Sequence, residues 1–217
     1  MDFQKLKELF ENNADSKEAE KMSAYMNKLP FFGIPKPKRA ILTKEMFASD
    51  KSKEIDWQFI FNCFLEDERE LQYVAMDYLM KHSKALTSKD IPSIKRLIET
   101  KSWWDTVDCL DSIVGNIALK DESVNKVLLE WSSDRNIWLR RIAIDHQLGR
   151  KDETNKELMA QIIKNNLNQA EFFINKAIGW ALREYSKTNP EWVRAFIKEN
   201  EKNMAKLSIR EASKYIY

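Results

Sequence analysis

The chain has 217 residues, 43% of them apolar, and 36 Lys and Arg against 34 Asp and Glu leave a formal charge of +2. That is long enough to bury a sizeable core, yet it holds only four Gly, five Pro and two Cys, which excludes a Gly-rich nucleotide fold, a sandwich of tight hairpins, a CxxC motif and a disulfide framework. The longest uncharged run is the nine residues Trp57 to Leu65, and the opening Met1 to Asn13 lacks an apolar block, so a cytoplasmic chain that spans no membrane is expected.

Periodicity and punctuation predict about a dozen short helices and no strand, an all-α chain. Asp2 to Asn12 and Lys17 to Lys28 form an opening pair. Pro30 to Pro37 holds three prolines and reads as a stiff apolar connection. Helical patterns follow at Lys38–Ala48, Ile55–Leu65, Glu68–Lys84, Lys89–Thr100, Trp103–Leu119, Ser123–Trp131, Ile137–Gly149, Asn155–Asn168, Glu171–Lys187, Glu191–Asn200 and Ile209–Tyr217. Connections are short, so successive helices are expected to be antiparallel neighbours. The segments around Val74, Val107, Arg141 and Lys176 recur about 33 to 35 residues apart, each followed by a second helix. Stacked pairs of the HEAT type, an α-solenoid built as one domain over residues 1–217, fit that spacing.

The small net charge hides an asymmetry. Arg135 to Tyr217 carries 16 Lys and Arg against 10 Asp and Glu, a basic excess of the kind that meets nucleic acid. On the helix from Glu171, the stripe Ile174, Ala177, Ile178, Ala181 and Leu182 is the core face. Trp180 falls outside it, on the same side as Lys176, Arg183 and Lys187. An indole among cations suits contact with sugars, bases and phosphates, although packing on the next helix pair would also account for it. On the helix from Ile137 the stripe is Leu139, Ile142, Ala143 and His146. Arg141 lies nearly opposite, as an ordinary solvated residue or as the counterpart of Lys176 one repeat earlier. On the helix from Trp103, Ser102 and Asp105 have the spacing of a capping box, and Val107, Leu110, Val114 and Ile117 make the core. Asp108 is off that stripe and one turn from Trp104. With no cation at i±3 or i±4 it reads as an uncompensated carboxylate, either a solvated acid or a functional one. His82 and His146 are far apart, and no metal-ligand spacing, phosphate loop or GxSxG elbow occurs, so neither a metal nor another cofactor is expected.

Three long motifs, 102–108 (SWWDTVD), 137–144 (IWLRRIAI) and 172–185 (FFINKAIGWALREY), resemble the bacterial DNA alkylation repair glycosylases of the AlkD type. Tyr25-Met26, Phe32-Gly33-Ile34 and 207–212 (LSIREA) extend the resemblance almost end to end. It implies a horseshoe of HEAT-like repeats whose concave face grips duplex DNA. The implied activity is excision of positively charged N3- and N7-alkylated purines without flipping the base into a pocket, in contrast to other glycosylases. It also implies that Asp108 is catalytic, that Trp104 and Trp180 flank the lesion sugar, and that Tyr25 and Arg141 line the cleft. Lys176, Arg183 and Lys187 would join Arg141 in holding phosphates. The expected partner is double-stranded DNA bearing alkylated purines, met by a monomer. A non-catalytic HEAT-like module binding distorted or branched DNA is the alternative.

Overall fold

A computed structural model describes residues 1–52 and 54–216, and among these it contains thirteen α-helices and no strand. The chain divides into two compact units, Met1–Leu86 and Thr87–Tyr217. None of the helices is long and apolar enough to cross a membrane.

The first unit holds α1 (Phe3–Glu11), α2 (Ser16–Tyr25), α3 (Lys36–Ser49), α4 (Trp57–Leu65) and α5 (Arg69–Lys81). Asp2, Asp15 and Asp56 cap α1, α2 and α4, each accepting from backbone N–H groups of the first turn. The apolar connection before α3 is pinned by Glu70, whose fully buried carboxylate accepts from the backbone N–H groups of Phe32, Gly33 and Ile34 at 2.9–3.0 Å. Gly33, at φ +85°, runs so close to α2 that a Cβ there would lie 2.0 Å from the Asp15 carbonyl oxygen. Only glycine fits that approach.

The second unit holds α6 (Ile91–Glu99), α7 (Trp104–Lys120), α8 (Val124–Trp131), α9 (Ile137–Asp145), α10 (Lys156–Lys164), α11 (Phe172–Ser186), α12 (Pro190–Asn200) and α13 (Lys206–Ala212). Tyr217, expected to end the last helix, lies outside the described residues. The helices α7, α9, α11 and α13 pack successively side by side, and α8 and α10 pack in a second row behind them. The 33-to-35-residue repeat is directly visible in bonds that join equivalent positions. Arg141 reaches Asp108, Arg150 donates to the Gly115 carbonyl, Asn165 donates to Ser132, and Ser208 donates to the Asn175 carbonyl. Successive front-row helices therefore run in the same direction, as stacked helix pairs require.

The expected core stripes of α7, α9 and α11 are all buried. Two helix contacts are closer than side chains allow. A Cβ on Gly115 of α7 would sit 2.2 Å from the His146 carbonyl oxygen, and one on Gly179 of α11 would sit 2.5 Å from Cβ of Glu211 on α13. The expected capping box at the start of α7 does not form. Trp103 occupies the cap position without a side-chain bond, and the Ser102 hydroxyl turns back to the Ile98 carbonyl at the end of α6.

Candidate active site

The front row of the second unit gathers the off-stripe residues. From α7 come Trp104, the first residue of the helix, and Asp108 one turn later, both half-buried. Arg141 of α9 donates from Nε to Asp108 Oδ1 at 2.8 Å and from Nη2 to Oδ2 at 3.1 Å. Its Nη1 donates to the Phe173 carbonyl at the start of α11, also at 2.8 Å. This corrects the expectation of an uncompensated aspartate: the counter-charge comes from the neighbouring repeat, 33 residues away. Arg141 is not solvated either, being 2% exposed. A helix flanked by neighbours on both sides has little surface left, so a residue opposite one core stripe faces a second partner.

Trp180 of α11 is ringed by cations. Arg141, Lys176 and Arg183 lie 5.3, 5.7 and 6.0 Å from its ring centroid, within range of the quadrupole attraction between a cation and an indole face. The expected equivalence of Arg141 and Lys176 thus takes the form of two cations, from adjacent repeats, on one indole. Lys176 and Arg183 are also tied to Glu211 of α13, at 3.1 and 3.0 Å, and Lys214 reaches the same carboxylate at 2.7 Å. The Lys214 bond, with help from Lys176, outweighs burial and holds the Glu211 carboxyl down at about 2. Lys187 pairs with Glu184 at 2.6 Å and lies 5.4 Å from the Tyr215 ring. Tyr25 belongs to the first unit, where it ends α2 with 79% of its surface exposed.

Sequence reasoning missed four contributors. Asp111 lies one turn beyond Asp108 on α7, and Asp145 one turn beyond Arg141 on α9, both buried. Burial pushes both carboxyls well above the ordinary range; Asp145 and Asp108 add repulsion at Asp111, and the pull of Arg141 only partly offsets burial at Asp145. Burial opposes the charge of Arg141, yet Asp145 and Asp108 together raise its pKa. Phe173 supplies the carbonyl that Arg141 needs, and its ring packs on Trp103 and Trp138 at 5.2 and 4.9 Å. Glu211 binds the cations of α11. The spacing Arg141 to Asp145, i to i+4, was a readable signal for one of these. Three aspartates around one guanidinium, two of them with carboxyls pushed well up by burial, is the kind of partly enclosed arrangement that marks a candidate functional site.

The family model described as DNA alkylation repair enzyme matches residues 6–216. A solved structure described as a predicted DNA alkylation repair enzyme from Enterococcus faecalis is similar with a TM-score of 0.83 and 35% sequence identity, covering 94% of this chain and 96% of that one. The crystal structure of AlkD2 from Streptococcus mutans is similar in fold, with a TM-score of 0.61 at 17% identity, over 83% of this chain and 89% of that one. No curated protein matches the chain. With a family match across nearly its whole length and a relative at this identity, the chain belongs to the DNA alkylation repair enzyme family.

Proposed function

We propose that the chain is a monofunctional DNA glycosylase that hydrolyses the N-glycosidic bond of N3- or N7-alkylated purines in duplex DNA. The observation that carries this reading is the half-exposed Asp108 carboxylate, aligned by a two-point bond to Arg141 beside the Trp180 ring. An alkylated purine already carries positive charge. Its C1′–N bond breaks with the electron pair moving onto the base, which leaves neutral, and no general acid or metal is required. The developing charge falls on the sugar, where a fixed carboxylate stabilises the oxocarbenium-like state. Water then adds to C1′ and gives up a proton, leaving an abasic site. Asp108 orients that water. Trp104 and Trp180 offer indole faces to the electron-poor sugar edge, Arg141 touches both Asp108 and the Trp180 ring, and on this reading the base is not flipped into a pocket. Tyr25, Lys176, Arg183 and Lys187 contact the DNA backbone and set register without reading sequence.

The test is base release from a methylated duplex. Wild type is expected to free 7-methylguanine or 3-methyladenine and leave abasic sites, and Asp108→Asn to lose about 10²–10³-fold in rate while still binding the duplex. A wild-type protein that binds the duplex and frees no alkylated base would leave the non-catalytic binding module as the reading.

A further inference from the structure

Arg141 stands between two carboxylates in opposite surroundings. Asp108 opens onto the site with 27% of its side chain exposed and takes two N–H groups of the guanidinium. Asp145, one turn along α9, is wholly enclosed. Its Oδ2 lies 3.7 Å from Arg141 Nη2, and neither of its oxygens accepts a hydrogen bond among the described residues. The cation nearest to it is Arg141, whose Nη2 is already bonded to Asp108, so an ionised Asp145 draws on the same guanidinium that aligns Asp108. Full enclosure otherwise favours keeping its proton.

We propose that Asp145 is a positioning residue for the reaction: it competes with Asp108 for the single guanidinium of Arg141, and so sets how much negative charge Asp108 presents to the reacting sugar. The catalytic consequence rests on the glycosylase reading above; the competition itself does not.

The charge balance gives the direction. With Asp111 and Asp145 both protonated, Asp108 and Arg141 sum to zero beside the sugar. When Asp145 ionises, the same set carries −1 and the guanidinium is shared, so the developing cation is better stabilised. Asp111, still more strongly opposed by burial and by both neighbouring aspartates, keeps its proton longer. The groups that act on Asp145 are Arg141 on its own helix and Asp108 on α7, with Asp111 beside them. From α11 come the Phe173 carbonyl and the Trp180 ring, while Lys176 and Arg183 are drawn towards Glu211 of α13. The buried residues of α6, α8 and α10, which also pack on α9, are all apolar. His146, adjacent in sequence, donates from Nδ1 to the Ala143 carbonyl and is pushed by burial down to about 3, so it stays neutral across the range that matters.

The experiment is the single-turnover rate of alkylbase release between about pH 5 and pH 9, for wild type and Asp145→Asn, with duplex affinity measured in parallel. Loss of a cationic base needs no proton, so a pH dependence belongs to the protein. Wild type is expected to rise about tenfold through neutrality, the effect of one additional charge near the sugar in a partly screened site. Asp145→Asn, uncharged at every pH, is expected to match wild type at the acid end and stay at that level as pH rises, with unchanged duplex affinity. A variant profile parallel to wild type overturns the proposal, since a merely structural aspartate would lower the rate equally at all pH values. Should Asp145→Asn fail to fold, carboxyl carbon NMR of ¹³C-aspartate wild type decides. The expected result is one buried carboxyl titrating near neutrality with the Arg141 Nε–H resonance shifting in step; an Arg141 signal that does not move with it overturns the exchange. If wild type frees no alkylated base at any pH, the glycosylase reading fails while this titration still decides the competition.

Discussion

Replacing Arg141 removes the only cation drawn to Asp145 among the described residues and the two-point partner of Asp108, and takes a side-chain donor from the Phe173 carbonyl. Breaking a buried ion pair from one side is far costlier than never having made it, because the enclosed partner must either stay charged without compensation or take up a proton. Arg141→Gln is therefore expected to lower unfolding stability by about 3–5 kcal/mol at pH 7 in urea titrations. The sign with pH follows from Asp145. Its carboxyl is raised in the folded protein and is raised further without the arginine, so the folded state binds more protons than the unfolded one above the ordinary carboxylate range. Stability of the variant then falls as pH rises from about 4 towards neutrality, and the deficit against wild type shrinks at about pH 5, where Asp145 is protonated in both. An equal deficit at both pH values would show that the loss comes from packing of the long side chain alone.

The contact between α7 and α9 is what brings Asp108 and Arg141 within bonding distance, and Gly115 sets its closeness. Gly115→Ala would place a methyl group 2.2 Å from a backbone oxygen of His146, an atom that cannot rotate away. The helices must separate, at a cost of about 1–3 kcal/mol, and the rate of base release is expected to fall with stability because the two ends of the ion pair ride on the separating helices. Thermal melts and release assays together check this; full activity in a destabilised variant would mean that the pair survives the shift. Helices and core stripes were legible in the sequence because each depends on residues three and four apart. The 33-to-35-residue period was legible because every repeat buries the same face. The partners of the site residues were not, since Asp108 to Arg141 and Lys176 to Glu211 join residues 33 and 35 apart on different helices, and no single-helix projection contains both. Ser102 illustrates a local failure of the same origin: the cap spacing was present, but the end of α6 offered the Ile98 carbonyl first.

For the whole molecule, the +2 balance understates how fully its cations are engaged. Of the four cationic residues expected to meet phosphates, Arg141 is bound to Asp108, Lys176 and Arg183 to Glu211, and Lys187 to Glu184. If Lys176, Arg183 and Lys187 meet phosphates as proposed, each phosphate competes with an internal carboxylate for them, which would weaken binding to any duplex. Each phosphate neutralised contributes a slope of about −0.9 in log affinity against log salt. Among the described residues Glu211 is the carboxylate that holds most, three cations at 2.7–3.1 Å. Glu211→Gln keeps the shape beside Gly179 while freeing Lys176, Arg183 and Lys214. It is expected to bind an unmodified duplex about tenfold more tightly at low salt and to steepen the salt slope by about 1 to 2, with the difference vanishing at high salt. Titration cannot substitute for this variant, because the Glu211 carboxyl is held at about 2 and remains ionised through the whole range in which DNA binding is measurable. Fluorescence anisotropy with a labelled duplex at several salt concentrations decides it: an unchanged slope would show that these lysines and this arginine belong to the packing of α11 on α13 and not to the DNA, and the phosphate contacts would have to be sought on other cations of the chain.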